Sequence, residues 1–177
     1  EIKKTESLYG QFNRLKLSQF SPVSNWYCMA ILELTEIPGF SDDSSQVAKR
    51  LGIDVKEAEV ALNQLKTVGM ISQDENGYWR KNINASVQDA PSVEVRKFHR
   101  QHLANAAVAI EEQDFRRRHF SGVTMAINPG KLPEAISLIK EFRSRMSSLL
   151  ESGERKSVYH LAIQLFQLDD PQEVGHD

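Results

Sequence analysis

The chain has 177 residues, 40% of them hydrophobic and 26% charged, with a formal net charge of -2. That composition excludes wholesale disorder, a collagen-like chain and a pure coiled coil, and it excludes a globally basic nucleic-acid binder while leaving room for a local basic patch. No stretch approaches the run of about 18 apolar residues that a membrane span needs. A lone cysteine, Cys28, permits neither an intrachain disulfide nor a cysteine-rich zinc site.

Residues 1–24 read as an approach segment. Leu8, Phe12 and Leu15 have helical spacing there, and Pro22 breaks the pattern. Glu1 stands where an initiator methionine would, which suggests a fragment or a processed product, and no signal-peptide core precedes the first element. A cytoplasmic location is the expectation. A very apolar helix then opens near Asn25 with Trp26, Met29, Ala30, Leu32 and Leu34, and ends at Pro38-Gly39. Asp42 or Asp43 can cap a second helix that carries Val47, Ala48 and Leu51 inward, and Gly52 can end it. Asp54 followed by Glu57 fits an acidic capping box, opening a third helix with Val55, Ala58, Leu62 and Leu65 on its inner face.

Two short strands follow, 70–73 and 78–83, and Asn76-Gly77 between them suits a tight hairpin turn. Three helices and a hairpin within about 60 residues is the order of a winged helix-turn-helix, expected over 25–84. Residues 84–92 read as a linker. A long helix is expected over 93–113, rich in alanine.

Residues 122–128 alternate, with Val123, Met125 and Ile127 on one face, which predicts a strand. Pro133 suits the first turn of another helix, whose stripe is Ala135, Ile139, Phe142, Met146 and Leu149. Residues 157–168 alternate again, and an acidic tail, 169–177, closes the chain. The fold class expected is therefore α+β and helix-rich: a winged helix-turn-helix followed by an α-β-α-β module over 92–168 with a small sheet. Two strands make too small a sheet to stand alone, so the second half is expected to dimerise.

Many short motifs together carry a family resemblance. They include Asn25-Trp26-Tyr27, the run Val47-Ala48-Lys49-Arg50-Leu51-Gly52-Ile53, the turn Val68-Gly69-Met70-Ile71, His99-Arg100-Gln101-His102-Leu103, Arg118 ahead of Val123 to Ile127, and Val158-Tyr159 leading to Ile163-Gln164-Leu165-Phe166. Over roughly 12–168 the chain resembles the C-terminal domain, itself of unknown function, of an uncharacterised bacterial family of two-part transcriptional regulators. The resemblance implies a transcription-associated role and a further helical region upstream, and it carries no catalytic residues. Gln167 stands where such proteins often have proline.

In a winged helix the third helix enters the major groove. Lys56, Asn63 and Gln64 lie on its outward positions, and Asn63 and Gln64 have the chemistry to read base edges. Arg80 and Lys81 on the hairpin are candidate phosphate contacts. Between 43 and 83, however, the bases Lys49, Arg50, Lys56, Lys66, Arg80 and Lys81 only balance the acids Asp43, Asp54, Glu57, Glu59, Asp74 and Glu75. A second basic region, Arg96, Lys97 and Arg100 with Arg116, Arg117 and Arg118, reads either as a solvated face or as a nucleic-acid contact.

His99 and His102 share a helix face, and His119 is a third imidazole nearby; packed or surface histidines are the simpler reading than a zinc site, and no metal or cofactor is expected. Cys28 reads as a buried thiol. No phosphate-binding glycine loop or nucleophile elbow is present, and an enzyme is not expected. Trp26, Tyr27, Trp79 and Tyr159 read as core aromatics or as the lining of a small-molecule pocket. The function expected is a non-enzymatic, dimerising regulatory module that contacts nucleic acid. The alternative is a protein-interaction or ligand-sensing domain whose winged helix does not touch DNA.

Overall fold

A computed structural model describes residues 13–14, 20–87 and 91–169. In chain order the regular elements are strand β1 (Asn13–Arg14), helices α1 (Trp26–Leu34), α2 (Ser44–Leu51) and α3 (Val55–Thr67), strands β2 (Ile71–Gln73), β3 (Trp79–Lys81) and β4 (Ala85–Ser86), and helices α4 (Val93–Glu112) and α5 (Leu132–Leu150). The chain is helix-rich and α+β, as its sequence predicts. The expected helical spacing of Leu8, Phe12 and Leu15 lies outside the described residues, as does all of the acidic tail except Asp169.

The local signals act where their chemistry requires. The Asp43 carboxylate accepts the backbone N–H groups of Ser45 and Gln46 and so starts α2. Gly52 ends it with φ at 68°, a left-handed position that an L side chain rarely adopts. Asp54 and Glu57 close a reciprocal capping box at the start of α3.

The core forms where α1, α2 and α3 cross. Cys28, Ile31, Ala58, Ala61 and Leu65 are fully shielded from solvent, and Leu32, Leu34, Leu62, Val47, Met70 and Ile71 close around them. The antiparallel hairpin of β2 and β3 pairs Ile71 with Lys81 and Gln73 with Trp79 and lays Trp79 against this core. Its turn is longer than the two-residue form expected at Asn76-Gly77. Asp74 begins it, and the Asp74 carboxylate accepts the N–H groups of Asn76 and Tyr78, leaving Gly77 alone with a positive φ. A short parallel pair joins β1 to β4, Asn13 opposite Ala85, inside the stretch expected as linker.

The long helix α4 docks through a second, smaller cluster of Phe20, Val95 and Phe98. The Phe20 and Phe98 rings meet edge to face at 5.6 Å. Gln101 ties α4 to the start of α1, its Oε1 accepting the Trp26 N–H at 3.0 Å. The half-buried start of α1 thereby gains a partner for one of its orphan donors.

The second half departs from expectation. Residues 122–128 and 157–168 alternate as strands do, yet neither belongs to a sheet in the single chain. A strand is held by its ladder partner, and a parallel pair crossing over one helix has too few bonds to persist by itself. Helix α5 forms as predicted, with Pro133 in its first turn, but none of its residues is buried.

Leu65→Ala should destabilise the chain by about 2–5 kcal/mol, because it opens a cavity in a fully shielded site. Urea unfolding checks this, with a drop in midpoint at unchanged slope as the expected result.

Candidate functional site

The hairpin cations are engaged. Lys81 Nζ is nearly buried and pairs with Glu33 at 2.7 Å, while its backbone N–H reaches Glu36. Arg80 Nε donates to Asp74 at 3.2 Å and its guanidinium lies over the Tyr78 ring. The backbone N–H of Tyr78, followed by that of Asn76 and by Arg80, holds the Asp74 carboxyl below the usual carboxylate range. On α3, Lys56 and Asn63 are exposed and Gln64 is half-buried, with the acids Glu57 and Glu59 exposed on the same helix. Lys66 sits 4.5 Å above Trp79 and pairs with Asp42.

The later basic region divides. Arg116 is tied to Asp114 through two nitrogens, and that hydrogen bonding holds the Asp114 carboxyl low. Arg118 donates to the Gln113 carbonyl and lies over Phe120. Arg96, Lys97 and Arg100 are exposed on the first three turns of α4, and Arg117 is exposed beyond its end. Among the described residues none of these four lies within ion-pair distance of a carboxylate.

Of the four aromatics read as core or as pocket lining, two reach the core. Trp26 and Tyr27 meet edge to face at 5.9 Å, Tyr27 and Trp79 pack against the main core, and Tyr159 is exposed. A shallow polar cleft of about 370 Å³ lies elsewhere, lined by Glu36, Lys81, Asn82, Ile83, Asn84, Glu151 and Arg155. Arg155 Nη1 pairs with Glu36 at 2.9 Å across it, and nearby Arg50 donates to the Lys156 carbonyl. No local motif announces this cleft, since its residues come from distant parts of the chain and meet only after α5 has turned back.

The histidines also regroup. His99 and His102 are joined by His160 rather than by His119. The His102 and His160 rings stack with centroids 3.4 Å apart and 8° from parallel, and the Phe98 ring stands edge-on to His102 at 4.4 Å. Nε2 of His99 and of His102 is enclosed without a hydrogen-bond partner among the described residues. Loss of water lowers the His102 pKa to about 4, helped by the neighbouring imidazoles. The stacked face of His160 also loses water, and with the charges of His99 and Arg143 this brings it to about 4 although its outer side remains exposed. Parallel stacked rings direct their nitrogens outward in their own planes, and among the described residues no group of three or more His, Cys, Asp or Glu is placed to hold a metal. Burial pushes the Cys28 thiol up to about 12, which suits a packing role and not a nucleophile.

A family described as "Domain of unknown function (DUF4423)" matches residues 8–168. The chain belongs to this family. The DUF4423 match runs through both halves, so the uncovered second half is part of the domain. No curated protein and no solved structure matches the chain.

The histidine stack gives this domain a pH response. An unfolded histidine binds its proton near pH 6.5, whereas His102 and His160 bind theirs only near 4. Within that window the unfolded chain holds more protons, so stability is complete above about pH 6.5 and falls as the pH drops toward 4. The melting temperature should be lower at about pH 5 than at about pH 7, and His102→Gln should shrink the difference.

Proposed function

We propose that this DUF4423 chain is a non-enzymatic regulatory module of a cytoplasmic, bacterial transcription-regulator-like protein that acts as a homodimer and contacts nucleic acid. Three helices and a hairpin in this order support reading residues 25–84 as a winged helix. The observation that carries the nucleic-acid contact is the row of Arg96, Lys97 and Arg100, exposed on α4 without a carboxylate partner among the described residues. Cations left unpaired are the ones that can displace counterions from phosphate. The hairpin cations are spent on Glu33 and Asp74, so the contact runs along α4 with Arg117 and not through the wing. Lys56 and Asn63 on α3 are also exposed. No helix among the described residues is long and apolar enough to cross a membrane.

The cleft between Glu36, Lys81 and Arg155 favours a second reading, a sensing or protein-interaction domain in which the winged helix does not touch DNA. Its charged lining would suit a small polar ligand.

Fluorescence anisotropy of labelled duplex DNA at low and moderate salt separates the two. Binding with a steep salt dependence supports the first reading. Changing Arg96, Lys97 and Arg100 together to Ala should then flatten the slope of log K against log salt by about 0.9 for each phosphate contact removed. Unchanged affinity and slope in that variant would remove the α4 contact, and no binding at low salt would leave the sensing reading.

A further inference from the structure

Apolar burial in this chain stops at Phe98, the last residue among those described to be buried. Beyond it the second half presents large apolar side chains to water: Phe142 and Leu149 on α5, Met125 and Ile127 on 122–128, Leu161 and Ile163 on 157–168. Single exposed apolar residues are ordinary, but so many in one part of the chain call for a covering surface.

The two unpaired segments indicate what covers it. Exposed strand edges are normally blunted with Lys, Pro or other charged residues. Residues 122–128 and 157–168 contain no Lys, Arg, Asp, Glu or Pro. Two copies of either segment therefore meet without opposing like charges. In one chain the two segments are not paired with each other, and an isolated two-stranded pair is marginal, whereas two chains supply four strands with an α5 from each to cover them.

We infer that the second half is completed by a second copy of this chain: residues 122–128 and 157–168 of both copies join in one four-stranded sheet, covered by the stripe Ala135, Ile139, Phe142 and Met146 of each α5. This inference rests on the homodimer part of the proposed function and specifies its structure. Pairing is isologous, with each copy giving and receiving the same surface. Residues 155–158 anchor the later strand, since Arg155 pairs with Glu36 and Val158 packs against the main core.

The test is hydrogen exchange on the full chain across a dilution series, with mass followed by light scattering. The expected result is a mass of twice 20.1 kDa at high concentration, with amides of 122–128 and 157–168 protected there and released on dilution. Ile163→Lys and, separately, Met125→Lys should each weaken dimerisation roughly tenfold or more while circular dichroism keeps the helical signal. A dimer whose amides in both segments stay unprotected would overturn the shared sheet and leave the homodimer standing. A monomer at every concentration would overturn both and point to a different partner. Protection that persists in the diluted monomer would overturn the inference as well.

Discussion

Everything in the first half is arranged around the crossing of α1 and α3, where Ile31, Ala58, Ala61 and Leu65 exclude water. Small residues on α3 let the two helices approach closely, and the larger Leu62 and Leu65 fill the space on either side. The caps, the Gly52 turn and the hairpin matter because they deliver side chains to this crossing. Trp79 and Val158 reach it from distant parts of the sequence, so the same core that stabilises three helices also fixes the hairpin and the start of the last segment.

Electrostatics divides the molecule along a different line. Cations near the hairpin are held by Glu33, Asp74 and Asp42, while those on α4 stand free of carboxylates among the described residues. A sequence count of charge cannot distinguish these two groups. It gives Lys81 and Arg96 equal weight, although Lys81 Nζ is nearly enclosed and Arg96 faces solvent. The difference arises because Lys81 sits on the strand beside α1, within reach of two glutamates one turn apart.

Legibility from sequence followed the range of the interactions involved. Asp43, Gly52 and the Asp54–Glu57 box act within a few residues, and each was readable as a helix boundary. The turn at Asp74 is longer than the dipeptide Asn76-Gly77 implies, because a carboxylate two residues earlier organises the loop. The cleft at Glu36 and Arg155 and the stacking of His160 on His102 depend on contacts spanning most of the chain, and no periodicity reports them. The strand patterns at 122–128 and 157–168 were legible as alternation but not as pairing, since alternation describes a face and pairing requires a neighbour.

Both buried clusters lie within the first 98 residues, apart from the late arrival of Val158. Their contacts are mostly local in sequence, the kind that form fast and early. During synthesis the three helices and the hairpin can therefore close their core before α5 has left the ribosome. The first half emerges as a finished platform, and the apolar second half follows it with its side chains still exposed. Such an order keeps the aggregation-prone segment attached to a folded, charged body while it remains uncovered.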